Sequence, residues 1–182
     1  SIDIVVITHA HPDHIGGTLD DNEEPIYVNA RYFIWKRDWN FWFSDEAAIM
    51  APEKHVALAR RNLIPIQEQT IRIEPETEIV PGIATLPAPG HTPGHMAVSI
   101  TSGDDRLYYL SDTVLSPLHL AYPDWLPVFD ILPDEAASSK RNIFDLVADE
   151  GALVMCQHFP PFPSLGHVIK QGQGWLWKPK LG

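Results

Sequence analysis

The sequence of 182 residues is poor in cysteine and contains no long apolar run. Its single cysteine, Cys156, cannot form an internal disulfide, so the sequence excludes a small fold that is stabilised by disulfides. No stretch approaches the roughly 18 consecutive apolar residues that a membrane-spanning helix needs, so no such helix is predicted. Repeats and low-complexity tracts are also missing, which excludes solenoid and fibrous architectures.

Basic residues are outnumbered by acidic ones. The chain has 13 Lys and Arg against 24 Asp and Glu, which gives a formal net charge of −11 with histidine neutral. Nucleic acids and anionic membranes are bound by basic surfaces, so this balance argues against both kinds of partner. Hydrophobic residues make up 45% of the chain and charged residues 20%, which is typical of a globular protein.

Predicted strands and helices alternate along the chain, which indicates one α/β or α+β domain over residues 1–182. The β-branched run Ile2 to Thr8 predicts a buried first strand. Ser44 is a plausible N-cap for one helix, and Gly151 is a plausible C-cap for another. The remaining predicted strands lie at 31–36, 69–73, 83–86, 96–101, 106–110, 152–155 and 175–178. The helices are predicted at 38–43, 44–62 and 133–150.

Four candidate metal ligands lie within six residues in the polar loop that follows the first predicted strand: His9, His11, Asp13 and His14. Imidazole and carboxylate groups are ligands for zinc-like ions. Residues i and i+2 of an extended segment point the same way, so His9 and His11 can bind one ion together. Asp13 and His14 then turn toward a second point. A single histidine here would be best explained as an incidental residue of a solvated loop. Four potential ligands at this spacing favour a metal site instead.

Three further motifs follow predicted strands: Pro89 to His95 (PGHTPGH), Leu110 to Thr113 (LSDT) and Gln157 to Pro160 (QHFP). Sheets place their binding residues at the ends of strands, so we expect the four motifs to form one site. The candidate ligands are five histidines and two aspartates, which exceeds one tetrahedral zinc with an open position and suits two ions that share a carboxylate. The candidates are His9, His11, Asp13, His14, His91, Asp112 and His158.

The motifs HAHPDH and GHTPGH, the SDT aspartate and the late histidine resemble the metallo-β-lactamase superfamily along nearly the whole chain. The resemblance implies an αββα sandwich with the metals at one edge, between two sheets. Members of the family usually have a β-rich part before the HxHxDH loop. Because this chain opens inside a predicted strand, without an initiator methionine, we expect it to lack that part.

The resemblance also assigns ligands to the two ions. His9, His11 and His91 would hold one metal. Asp13, His14 and His158 would hold the other, and Asp112 would bridge. His95 would then support the site without binding a metal, and His167 is assigned the same supporting role.

Differences between this sequence and several branches of the superfamily narrow the choice of branch that it resembles. The B1 β-lactamases have a cysteine where Asp112 stands, and the B3 enzymes lack the bridging aspartate. Flavodiiron proteins have a carboxylate where His11 stands, and the C-terminal helices of glyoxalase II have no counterpart here. The N-acyl homoserine lactonases often carry a tyrosine three residues after the bridging aspartate, where this chain has Leu115.

The closest resemblance is to the branch of methyl parathion hydrolase and its lactonase- and esterase-like relatives. It is carried by Asn29 to Tyr32 with Trp39 and Trp42, and by the ending from His158 to Trp175. The implied function is a dinuclear metal-dependent hydrolase, in which a metal-bridging hydroxide attacks an ester, lactone or related bond. Asp13 and Asp112 would be its catalytic residues.

Several alternatives stay open. Zinc is the favoured metal, while manganese, iron and cobalt suit the same ligands. A phosphotriester hydrolase of the same fold and a non-catalytic metal-binding or sensor protein are the alternative functions, and the charge of −11 argues against a nuclease. We expect a small-molecule substrate and leave open a homo-oligomer. A cytoplasmic location is favoured, with a secreted or periplasmic one open if a signal peptide precedes the chain.

Aromatic side chains in irregular loops are candidates for an apolar substrate pocket. Trp125, Phe129 and Phe159 are preferred because they lie near predicted ligands. Cys156 lies on a predicted buried strand and is expected to be inert. His55 lies on a predicted surface helix and is expected to be exposed.

Overall fold

The computed structural model describes residues 2–180 of the chain. It divides into two compact units, Ser1–Glu74 and Pro75–Gly182, which we call the N-terminal and the C-terminal unit. Each unit contains a sheet and helices, so the predicted mixed α/β class is confirmed. The assignment of one domain to residues 1–182 stays a prediction. Among the described residues, no helix is long and apolar enough to cross a membrane.

The N-terminal unit is built on a parallel three-stranded sheet in the order β1-β2-β3. Its strands are β1 (Ile4–Ile7), β2 (Arg31–Trp35) and β3 (Thr70–Ile73). Parallel strands need crossover connections, which here contain helices α1 (Pro12–Ile15), α2 (Lys36–Trp42), α3 (Asp45–Met50) and α4 (Glu53–Leu63). A 3-10 turn follows at Gln67–Gln69.

The predicted helix over 44–62 is interrupted, and this prediction is wrong in its middle. Ser44 caps α3 as expected, since its side chain accepts a hydrogen bond from the Ala47 backbone N–H. Ala51 then adopts an extended conformation, with φ −115° and ψ 153°. It precedes Pro52, whose ring disfavours helical geometry in the preceding residue, so a second helix, α4, begins at Glu53.

The C-terminal unit is built on a seven-stranded sheet in the order β10-β9-β8-β7-β6-β5-β4. Neighbouring strands are antiparallel except β7 and β8, which run parallel. The strands are β4 (Glu78–Val80), β5 (Ile83–Pro87), β6 (Met96–Ser102), β7 (Asp105–Tyr109), β8 (Leu153–Met155), β9 (Leu165–Gln171) and β10 (Gly174–Pro179). The sequence prediction missed β4 and β9.

Helix α6 (Pro133–Glu150) covers the core of this unit and has the predicted bounds. Gly151 ends it in the left-handed conformation, with φ 60°. Its apolar side chains pack in a buried cluster with strand residues such as Val154 and Trp175. Full burial of side chains such as Ile143 and Phe144 contributes about 1.5–3 kcal/mol each, so this face holds the helix on the sheet.

Two short elements precede α6. A 3-10 turn at Ser111–Thr113 follows β7 and contains the aspartate of the SDT motif. Helix α5 (Leu118–Ala121) lies in the proline-rich stretch between this turn and α6. The rest of that stretch, up to the start of α6, contains no other helix or strand among its described residues.

Candidate metal centre

The first motif of the N-terminal unit begins two residues after β1. His9 and His11 are both buried, and their ring centroids lie 4.9 Å apart. A ligand nitrogen of one lies within 4.8 Å of a ligand nitrogen of the other. His11 is extended, with φ −71° and ψ 153°, as the i and i+2 argument requires. The two imidazoles are therefore close enough to bind one ion.

Asp13 and His14 lie in the one-turn helix α1, where the sequence predicted only a loop. Pro12 occupies the first turn, where its fixed φ and missing N–H suit a helix start. The turn brings the His14 ring to 4.0 Å from the His9 ring, and His14 Nε2 lies 3.5 Å from Asp13 Oδ2. The Asp13 side chain remains 60% exposed, so its carboxylate can reach a ligand from solvent.

Asp38 holds this motif in place and was not found by sequence reasoning. Its carboxylate is fully buried on α2. Asp38 Oδ2 accepts hydrogen bonds from the Ala10 backbone N–H at 2.9 Å and from Trp42 Nε1–H at 3.0 Å. Because Ala10 separates His9 from His11, this contact fixes the backbone between the two buried imidazoles. No local pattern marks Asp38, which lies in an aromatic helix far along the chain.

His55 lies beside His11, and its expected exposure is wrong. The side chain is half-buried on α4, with its ring centroid 5.4 Å from that of His11. Trp42 packs edge-on against the same imidazole at 5.6 Å. Burial, followed by the charge of Lys54, lowers the pKa of His55, while the carboxylate of Asp13 opposes the shift. His55 is therefore a neutral imidazole at neutral pH.

In the C-terminal unit, Asp112 lies between two of the predicted ligands. Asp112 Oδ2 lies 3.3 Å from His91 Nε2, and Asp112 Oδ1 lies 3.2 Å from His158 Nε2. Each carboxylate oxygen thus faces a different histidine. Ligand atoms about 2.1 Å from one ion at a tetrahedral angle are about 3.4 Å apart, so both distances suit shared ions.

The backbone around Asp112 is held in an uncommon conformation. Ser111 has a φ of 49°, in the left-handed region that side chains rarely adopt, and it is fully buried. The Asp112 backbone N–H donates to His95 Nε2 at 3.0 Å, and His95 Nδ1–H in turn lies 3.0 Å from the Ala88 carbonyl. These two partners fix the tautomer of His95. Both of its nitrogens therefore bind backbone atoms, and its supporting role at a metal site stays a prediction.

His91 is oriented by a buried chain of charges that sequence reasoning missed. His91 Nδ1 lies 3.0 Å from Asp130 Oδ1, and Lys140 Nζ donates to Asp130 Oδ2 at 2.8 Å. Burial alone would lower the pKa of His91, but Asp112 and Asp130 outweigh it and raise the pKa to about 9. Burial likewise opposes ionisation of Asp130, but His91 and Lys140 hold the pKa of its carboxyl below the usual range.

Gly90 allows the loop that carries His91 to pass close to α6. Its φ is +131°, and a Cβ at this position would lie 2.1 Å from the Ala136 backbone nitrogen. The Gly90 carbonyl accepts a hydrogen bond from the Leu132 N–H at 2.8 Å, and the His91 carbonyl accepts one from the Ile131 N–H at 3.1 Å. The residues that directly follow Asp130 are therefore hydrogen-bonded to the GHTPGH loop.

The three aromatic residues that were predicted to line a substrate pocket differ in burial. Phe159 is only 2% exposed and packs in the core with Trp177, at a ring distance of 5.1 Å. Its assignment to a substrate pocket is wrong, because its side chain fills the space between sheet and helix. Trp125 and Phe129 are 57% and 61% exposed on the segment between Asp112 and Asp130, which leaves them accessible to a ligand.

His167 and Cys156 lie away from the proposed ligand atoms or are buried in the core. His167 Nδ1 lies 3.0 Å from the carbonyl of Ala152, at the start of β8, whereas His158 follows the end of the same strand. This position contradicts the predicted supporting role of His167 and leaves it lining a groove with the hairpin of β6 and β7. Cys156 is fully buried, and burial raises the pKa of its thiol, which agrees with an inert core residue.

Comparison with known proteins agrees with the fold and with the predicted resemblance. Residues 1–158 match the family model described as Metallo-beta-lactamase superfamily. An N-acyl homoserine lactonase of Bacillus thuringiensis is 26% identical over 159 residues, which are 85% of this chain and 54% of that protein. The chain therefore spans about half the length of that relative.

Two solved structures show the same fold. AidC, described as a dizinc quorum-quenching lactonase in complex with a product, aligns with a TM-score of 0.91 and 28% identity, over 98% of this chain and 64% of that one. The hydrolase AbOPH, described as a member of the beta lactamase superfamily, aligns with a TM-score of 0.88 and 25% identity, over 99% and 65%. The predicted sandwich fold is thereby confirmed.

Proposed function

Because the chain belongs to the metallo-β-lactamase superfamily, we propose that the protein is a dinuclear metal-dependent hydrolase that opens a lactone or cleaves a related small-molecule ester. The observation that carries the proposal is the position of Asp112. One buried carboxylate turns its two oxygens toward two histidines, at 3.3 Å and 3.2 Å. A carboxylate in that position can be shared by two cations.

We assign the ligands as two sets that share this carboxylate. One ion would be held by His9, His11 and His91, the other by Asp13, His14 and His158, and Asp112 would contribute to both. The buried imidazoles of His9 and His11 and the oriented Nε2 of His91 suit the first set. Zinc is the favoured metal, and manganese, iron and cobalt accept the same ligands.

Two bound divalent cations would supply hydroxide near neutral pH and a Lewis acid for the scissile carbonyl. The residues of the chain would orient the ligands and the nucleophile and transfer the proton. Asp130 holds His91 in the tautomer with a proton on Nδ1, which leaves Nε2 for the site. Asp112 and Asp13 would orient the nucleophile. Asp13, which is largely exposed, would take up the proton that the attacking oxygen releases and pass it to the leaving alkoxide as the acyl–oxygen bond breaks.

The segment between Asp112 and Asp130 supports an apolar substrate. Its side chains Trp125, Val128 and Phe129 are exposed by 57%, 93% and 61%. Both ends of the segment adjoin proposed ligands, because it starts just after Asp112 and Asp130 lies 3.0 Å from His91. An acyl chain attached to a lactone would bury these side chains. The lactonase names of the relatives support the same substrate class.

Metal analysis combined with a hydrolase panel tests this proposal. The purified protein should hold about two equivalents of divalent metal. It should hydrolyse acyl lactones faster than aryl esters, thioesters or phosphotriesters. Retention of two equivalents without turnover of any of these substrates would favour the metal-binding or sensor alternative. Turnover of phosphotriesters alone would favour the phosphotriesterase alternative.

His11→Ala tests the ligand assignment directly. The variant should lose metal and activity together, because it removes one buried imidazole of the first set. His167→Gln is the matched control, since His167 lies at the other end of β8 from His158 and should keep both properties. If His11→Ala retained two equivalents of metal, the assignment would be wrong.

A further inference from the structure

Gln157 contacts two of the proposed ligands at once. Its Nε2 lies 3.2 Å from Asp112 Oδ1 and 3.2 Å from His158 Nε2. Those two ligand atoms are themselves 3.2 Å apart. The three atoms therefore form a nearly equilateral triangle, with the amide nitrogen at one corner.

The orientation of the Gln157 amide follows from its partners. An ionised carboxylate only accepts hydrogen bonds, so the NH2 group must face Asp112. The amide oxygen then faces Tyr109, whose hydroxyl donates to Gln157 Oε1. Tyr109 thus supports the orientation of the amide that the Asp112 carboxylate requires, because its hydroxyl donates to the amide oxygen.

Tyr109 and Gln157 are in contact because β7 and β8 are parallel neighbours. Tyr109 ends β7, and Gln157 lies two residues after the end of β8. Tyr109 is the last residue of β7 and is in register with Met155, the last residue of β8. Asp112 follows three residues after Tyr109, and His158 directly follows Gln157. One side-chain contact therefore links the two loops that carry these ligands.

The charges favour a neutral donor at this position. Asp112 is 5% exposed, whereas the His158 side chain is 36% exposed at the start of a proline-rich loop. A lysine or arginine in place of Gln157 would satisfy the carboxylate but would repel a cation. An amide orients the carboxylate and leaves its negative charge for the metal.

We propose that Gln157 and Tyr109 are positioning residues that hold the Asp112 carboxylate, beside His158, in the geometry of one metal ion. The inference rests on the proposed function, because it concerns the same ligands. Loss of residues that orient metal ligands commonly weakens metal affinity about 10- to 100-fold. We expect an effect of this size although neither residue is a ligand.

Tyr109→Phe is the main test, because it removes one hydroxyl and keeps the ring. Tyr108→Phe is the matched control, since its hydroxyl bonds to Glu150 at 2.8 Å and not to Gln157. Zn²⁺ affinity is measured by competition with a chelator, and ligand geometry by the visible absorption of the Co²⁺-loaded protein. Tyr109→Phe should weaken one of the two ions about tenfold and change the cobalt spectrum. Tyr108→Phe should match the wild type in both.

Gln157→Met separates an indirect role of Tyr109 from a direct one. It removes both amide contacts and should weaken the same ion about 10- to 100-fold. Adding Tyr109→Phe to Gln157→Met should change nothing further, because the hydroxyl acts through the amide. Circular dichroism would show that the variants fold.

The outcomes distinguish this inference from the function on which it rests. If Tyr109→Phe and Gln157→Met bind both ions like the wild type, with an unchanged cobalt spectrum, the positioning role is wrong and the proposed function stands. If the wild type itself binds no pair of ions, both proposals are overturned. Additive losses in the double variant would overturn the action of Tyr109 through Gln157.

Discussion

Lys140 Nζ lies 2.8 Å from Asp130 Oδ2, and both side chains are almost completely removed from water. The other oxygen of Asp130 lies 3.0 Å from His91 Nδ1. A buried carboxylate stays ionised only if it is paired and hydrogen-bonded, so His91 and Lys140 together keep Asp130 charged. The charged Asp130 then fixes the proton of His91 on Nδ1, which turns Nε2 toward Asp112.

Lys140→Met should therefore destabilise the protein strongly. Removal of one partner of a buried ion pair costs about 3–5 kcal/mol, because the remaining charge is left buried. Urea unfolding of the metal-free protein measures the loss. Lys170→Met is the control, since Lys170 pairs with Asp145 and Asp149 at the surface, where such contacts contribute about 1 kcal/mol or less. Equal losses in the two variants would contradict a special role for the buried pair.

Gly90→Ala should disrupt the loop that carries His91. A Cβ would lie 2.1 Å from the Ala136 backbone nitrogen, in a conformation with φ +131° that alanine rarely adopts. Overpacking and backbone strain each cost about 1–3 kcal/mol, so we expect a loss of about 3–5 kcal/mol together with weaker metal binding.

Gly103→Ala separates the two causes. Gly103 also has a positive φ, +60°, but a Cβ there would meet no atom within 4 Å. It should cost about 1–2 kcal/mol, which is the cost of the left-handed conformation alone. Thermal unfolding of both variants gives the comparison, and a similar loss in each would show that the contact with Ala136 is unimportant.

The candidate ligands could be predicted from the sequence because each motif is local. His9 and His11 are two residues apart in an extended segment, and that spacing alone places both imidazoles on one side. Helix α6 was predicted with its correct bounds because Pro133 and Gly151 mark its two ends. In each case the physical cause lies within a few residues of its effect.

The residues that support these ligands could not be predicted in this way. Asp38 reaches Ala10 across 28 positions of the chain, and Asp130 reaches His91 across 39. Neither pair leaves a periodic or composition signal, because folding alone brings them together. The error at Phe159 has the same origin, since proximity to His158 in sequence said nothing about which way the ring points.

Phe129 and Phe159 should respond differently to truncation. Phe159→Ala should cost about 3–5 kcal/mol of stability, because the ring is 2% exposed in the core. Phe129→Ala should change stability by less than about 0.5 kcal/mol, since its ring is 61% exposed. In steady-state kinetics Phe129→Ala should raise KM for lactones with long acyl chains more than for short ones. An equal effect on both chain lengths would argue against an apolar role of this segment.

The metal affinity of the site should rise with pH. Burial lowers the pKa of His91, but Asp112 and Asp130 outweigh it and raise the pKa to about 9 in the metal-free protein. Below that pH, Nε2 must release a proton before it binds a cation, so apparent affinity should increase about tenfold per pH unit from about 6.5 to about 9 and then level off. The stability that protonated His91 gives the metal-free protein, complete below pH 6.5, should decline over the same window. Chelator competition and urea unfolding at several pH values measure the two trends. Asp130→Asn should shift both to lower pH, and an affinity that does not change between these limits would exclude His91 as a ligand.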